Sequence, residues 1–154
     1  MPEFIFYKTA PLEVEKTLYS LVDKALKKEF NSILIFEDEE RLRLVDEFLW
    51  TYKQDSFLPH LKIGDALDTE LNIPIYLTTK DENPFNARIF FSIDGYIPKK
   101  IDEFDRLVFI VDSNDRFLND KYKNYYLEIK SDFKDIVFYK KSEDGLWKEN
   151  NFMR

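Results

Sequence analysis

The sequence predicts an α/β fold, and three observations carry that expectation. Ser32 to Phe36 is a nearly continuous apolar run, the mark of a strand buried on both faces of a parallel pair. Arg106 to Val111 is another strand-length run, apolar on both faces and expected to be central. Beside them lie stretches whose apolar residues recur at helical spacing.

Taken in order, Glu3 to Lys8 is short, apolar and aromatic, and reads as the first strand. Pro11 suits a first helical turn. Leu12, Leu18, Leu21, Val22, Ala25 and Leu26 then form a helical stripe, with Lys24, Lys27 and Lys28 in or near the last turn, where the helix dipole favours cations. Asn31 and Ser32 break the helix before the Ser32–Phe36 strand. Strand, helix, strand is a βαβ unit, whose crossover is expected to be right-handed.

Glu37-Asp38-Glu39-Glu40 follows that strand and opens the next helix. Acidic residues in a first helical turn satisfy the N-terminal dipole. Paired carboxylates at a strand end also suit a cation or acid–base work. That second reading makes the chain a small acidic nucleotide- or metal-binding enzyme. No Gly-rich turn follows either strand, so neither a dinucleotide fingerprint nor a P-loop is present.

The helix ends in an unusual stretch. Val45, Phe48, Leu49 and Tyr52 share one face, and Trp50 falls beside that stripe. Gln54-Asp55-Ser56 is a polar break before Phe57, Leu58, Pro59 and His60. Pro59 keeps Leu58 extended and fixes its own φ, which stiffens an aromatic loop. Large apolar groups in a loop ask for a reason. Either Trp50 and Phe57 fold back over a core edge, or they form a docking surface for another protein.

Lys62 to Asn72 reads as polar and irregular. Ile73 to Thr78 and Ala87 to Ile93 read as strands, with Phe90 and Phe91 on opposite faces, and Ile101 to Asp105 as one helical turn. After the Arg106–Val111 strand, Asp112-Ser113-Asn114-Asp115 supplies residues preferred at helix caps. The helix is expected over Arg116 to Lys130. Its apolar side is Leu118, Tyr122, Tyr125, Tyr126 and Ile129; Arg116, Lys121 and Lys123 give it a basic edge interleaved with tyrosines. That edge is either a solvated face or a binding surface. Ile136 to Lys141 reads as a last, edge strand.

The chain resembles the chi subunit of bacterial DNA polymerase III. The residues that carry the resemblance are Leu44-Val45-Asp46-Glu47-Phe48-Leu49-Trp50-Thr51 and Ser56-Phe57-Leu58-Pro59-His60. Phe6-Tyr7, Ile33 to Asp38, Pro74-Ile75, Phe85-Asn86-Ala87, Val108 to Asp112 and Lys121-Tyr122-Lys123 follow the same order, so the match spans roughly residues 4–130. The resemblance implies a single three-layer domain over residues 1–154. A mixed, mostly parallel sheet is flanked by helices, in a nucleotide-binding-like outline without a nucleotide site. It implies a noncatalytic adaptor of the polymerase III holoenzyme, linking the clamp loader to single-stranded-DNA-binding protein. The psi subunit or its equivalent is expected at Trp50, Phe57, Pro59 and His60. The acidic, Phe-ended tail of the single-stranded-DNA-binding protein is expected at Arg116, Lys121, Tyr122 and Lys123. Positions that are basic in the family fall near Asp115 and Asn119 here, and Arg116 substitutes in a shifted register. A chi-fold adaptor for another replication or repair partner, such as a helicase, would use the same Trp50–Phe57 surface.

Composition narrows the classes. The 154 residues carry 23 Lys and Arg against 30 Asp and Glu, a net charge of −7, which disfavours strong direct binding to nucleic acid. There is no cysteine, so no disulfide, thiol nucleophile or cysteine metal site is expected, and a cytoplasmic location fits. His60 is the only histidine, which argues against a zinc site, and no nucleophile elbow is present. No catalytic residues, metal or cofactor are expected. No run approaches the length of a membrane span.

Overall fold

A computed structural model describes residues 2–53, 58–65 and 73–153. The described elements are β1 (Glu3–Thr9), α1 (Val14–Lys27), β2 (Ser32–Ile35), α2 (Glu39–Thr51), β3 (Leu61–Lys62), β4 (Ile75–Thr78), β5 (Ile89–Ser92), β6 (Arg106–Asp112), α3 (Arg116–Ile129), β7 (Ile136–Lys141) and β8 (Trp147–Glu149). A 3-10 turn over Ile101–Glu103 precedes β6. The strands form one sheet in the order β3-β4-β2-β5-β6-β1-β7-β8. Every neighbouring pair is parallel except β7 and β8.

Side-chain alternation along the strands builds two cores, one on each face. Val108 and Ile110 of β6 join Ile5, Leu34, Leu77 and Phe91 beneath α1 and α2. Leu107, Phe109 and Val111 join Phe4, Phe6, Ile33, Phe90 and Phe138 beneath α3. Helices on both sides of the sheet make the three layers that were expected. Phe90 and Phe91 do face opposite ways. Phe6 stacks between Phe109 at 5.1 Å and Phe138 at 5.3 Å, which ties three adjacent strands together under α3.

Several expectations need correction. β1 and β2 are parallel members of one sheet, but β6 and β5 lie between them, so the α1 crossover spans two strands. β7 is not the edge, because β8 pairs outside it. Leu12 is not part of the α1 stripe. It sits at φ 67 in the turn before the helix, 88% exposed, with its N–H donating to Asp112 Oδ2 at 2.9 Å. The stripe starts instead at Val14 and runs through Thr17, Leu18, Tyr19, Val22 and Ala25. Ala87 stays out of β5 because the Asn83 side chain holds both its N–H, at 2.8 Å, and its C=O, at 3.0 Å. Leu61–Lys62 forms a short strand in place of the expected start of an irregular segment, closed by Asp65 Oδ2 accepting the Lys62 N–H.

Candidate functional site

α2 places Trp50 on its last turn. The helix buries Leu42, Val45 and Leu49, which turns the neighbouring Trp50 position outward, and Trp50 is 48% exposed. The ring is seated on His60, with ring centroids 4.1 Å apart and planes tilted by 39°. His60 is itself buried. Its Nδ1 lies 2.7 Å from Leu58 O, and its Nε2 lies 3.1 Å from Asp46 Oδ1. Leu58 is fully buried and anchors the loop, and Pro59 between them is half-buried. The two residues predicted to act together therefore do different things. Trp50 presents surface; His60 is the pedestal under it. Phe57 lies outside the described residues. Asp46 was missed as a participant. Its signal was present, since 46 and 50 are i and i+4 on one helix flank and both side chains meet the same histidine.

α3 divides the four residues predicted to act together, Arg116, Lys121, Tyr122 and Lys123. Leu118, Tyr122, Tyr125 and Ile129 face the sheet. Tyr122 is completely buried, and its hydroxyl accepts the Gly95 N–H at 3.2 Å and lies 3.4 Å from Ser92 Oγ. Burial pushes its phenol well above the usual tyrosine range. Lys121 lies on the flank toward the β5 end, over Gly95, with Nζ 3.5 Å from Glu37 Oε1. Arg116 and Lys123, at i and i+7, are exposed on the opposite flank. That flank also carries Tyr126, which meets Phe138 of β7 edge-on at 5.0 Å. Asn119, at an expected basic position, has its Nδ2 donating to Asp112 O and Asp115 O and closes the helix start. Asp115 accepts the Leu118 N–H as the N-cap.

The carboxylates at the strand ends also have structural partners. Asp38 caps α2 through the Glu40 N–H, Glu40 pairs with Arg43, and Glu37 meets Lys121. Asp94, at the end of β5, accepts the Glu37 and Asp38 N–H groups at 2.8 and 3.3 Å, which binds two strand ends together. Burial raises its carboxyl above the usual range, and those N–H groups pull the other way. A crevice of about 360 Å³ opens where β6 and β5 meet the helix starts, lined in part by Glu15, Arg41, Asp112 and Asp115. Within it Arg41 pairs with Glu15 at 2.8 Å, and Asp112 accepts the Leu12 and Asn114 N–H groups. Among the described residues no group of three or more acidic or histidine side chains is arranged as a metal site, and no helix is long and apolar enough to cross a membrane.

Comparison with known proteins bears on this arrangement. The family model described as DNA polymerase III chi subunit, HolC, matches residues 1–132. The chain is also similar to a protein named "Probable DNA polymerase III subunit chi" from Rickettsia prowazekii (strain Madrid E). The two are 28% identical over 120 residues, which covers 73% of this chain and 71% of that relative.

Proposed function

Because the chain belongs to the family of DNA polymerase III chi subunits, accessory subunits of the replicative polymerase, we propose that it works as a protein–protein adaptor with no catalytic site of its own. One surface, centred on Trp50 and extended by Pro59 and Phe57, docks the psi subunit or its equivalent. A second, on the outer flank of α3 at Arg116 and Lys123, takes the acidic, Phe-ended tail of single-stranded-DNA-binding protein. There Tyr122 shapes the helix from below, while Lys121 contributes from the far flank.

The observation that carries this reading is the seating of Trp50. A large aromatic group stands half in solvent, yet its ring rests on a buried histidine pinned at both nitrogens. A rigid, amphipathic aromatic anchor is the kind of residue that dominates protein interfaces. The strand-end carboxylates, engaged in caps and ion pairs, favour the adaptor over an acidic enzyme.

The test is calorimetric titration of the chain with the psi subunit of its own organism. Trp50→Ala is expected to weaken binding by about 30-fold or more, the loss typical of an interface hot spot of about 2 kcal/mol. Unchanged affinity in Trp50→Ala would remove this surface from the proposal.

A further inference from the structure

We propose that a row of three lysines, Lys8, Lys140 and Lys148, forms an acidic-peptide site beside α3 and supplies charge that α3 itself lacks. The inference rests on the tail-binding reading above and locates the residues that would read the tail's acidic run.

The row follows from strand register. Lys8 of β1 pairs in register with Lys140 of β7, and Lys140 stands opposite Lys148 of β8. In-register residues on adjacent strands project from the same face. That face is the α3 face, because Phe6 and Phe138, two residues before Lys8 and Lys140, pack beneath α3. Neighbouring strands are about 4.8 Å apart, so the three lysine positions span about 10 Å across the sheet. Like charges directly across a sheet are unfavourable. The pairings that would relieve them are sparse. Lys148 reaches Asp144 only at 3.9 Å, with both side chains more than half exposed. Lys141, next in the chain, points to the other face, toward Glu13 and Trp147. Lys8 is partly buried, with its Nζ 5.3 Å from the Phe152 ring centre, and burial and then Lys140 hold it below the usual lysine range. A charged row kept in this state is suited to a ligand that neutralises it.

The row adjoins the α3 flank that bears Lys123. α3 crosses from the end of β6 to the start of β7 between parallel strands, so it runs antiparallel to them. Tyr126 sits on Phe138. Moving two residues along β7 to Lys140 therefore moves back along α3 toward Lys123. An extended peptide crossing the strands would meet the three lysines over about three residues. Phe152, half-buried and edge-on to the buried Phe138 at 5.4 Å, lies beside the row and suits an aromatic end group. An acidic peptide fits better than nucleic acid. Three lysines supply few phosphate contacts, and a chain of net charge −7 repels a long polyanion.

The experiment titrates the full chain with a peptide of the organism's own tail, acidic and ending in phenylalanine, at low and moderate salt. Lys140→Glu and Lys8→Glu are each expected to weaken binding at least tenfold at low salt and to flatten its salt dependence. Lys100→Glu, the same charge change on the β5–β6 connection, is expected to alter it less than twofold. Binding lost in Lys123→Glu but intact in Lys8→Glu and Lys140→Glu would overturn the lysine row while leaving the adaptor reading in place. No binding to the unmodified chain would overturn the tail-binding reading, and the row with it. Tighter binding of an oligothymidylate than of the peptide, lost in the same two variants, would overturn the peptide assignment in favour of phosphates.

Discussion

At the scale of single residues, the division of labour between Trp50 and His60 makes a clean prediction. His60 spans Leu58 O and Asp46 Oδ1 while carrying the indole on its face. His60→Ala leaves a buried carbonyl and a largely buried carboxylate without the ring, a loss of about 1–3 kcal/mol for such groups. Its unfolding midpoint is expected to fall, and its partner affinity with it, since the seat of Trp50 is gone. Trp50→Ala is expected to lower affinity more than stability, because half of that side chain was in water already. Denaturant melts of the two variants beside their titrations check this. An unchanged midpoint in His60→Ala would show that the histidine is not the support.

At the scale of elements, the seating of α3 decides where its basic residues point. The Asp94-Gly95 turn is clamped under the helix. Gly95 has φ +96, and a Cβ there would lie 3.0 Å from Leu118 Cδ1 and 3.1 Å from Lys121 Cδ. Its N–H donates to the buried Tyr122 hydroxyl. Gly95→Ala combines a backbone conformation unfavourable to L side chains with a contact against the helix. It is expected to destabilise the fold by about 1–3 kcal/mol. It should also reduce the amide protection of α3 more than that of α1, as read by hydrogen exchange. Equal loss across both helices would show that the turn does not seat α3 in particular.

At the scale of the whole molecule, the two proposed surfaces are far apart in the architecture. α2 leaves the C-terminal end of β2 and runs back along the β2–β4 side, so Trp50 sits near the strand starts. The lysine row lies at the other end of the sheet, toward the strand finishes of β1 and β7. A stiff sheet with a packed core on each face separates them. Independent sites are therefore expected. Trp50→Ala should leave tail affinity unchanged within about twofold, and Lys140→Glu should leave psi affinity unchanged, since distant sites without shared partners behave additively. A larger cross-effect in paired titrations would show that the sites communicate.

Local pattern was enough to predict much of this molecule. The apolar runs at Ser32–Phe36 and Arg106–Val111 became β2 and the central β6 because a strand buried on both faces must be apolar at every position. The stripes of α1 and α3 and the cap at Asp115 were legible because helical period and capping chemistry are local. Trp50 was legible as an aromatic out of line with its own helix stripe. Only the tertiary structure decided the rest. That β5 and β6 separate β1 from β2, and that β8 covers β7, depends on which strands pair across long stretches of chain, which no local period encodes. His60 as pedestal, Tyr122 as core and Lys121 turned toward Glu37 were set by packing against residues remote in sequence. Lys8, Lys140 and Lys148 look unremarkable when read along the chain. They become one charged row because register between three strands places them side by side, and register is a property of the assembled sheet.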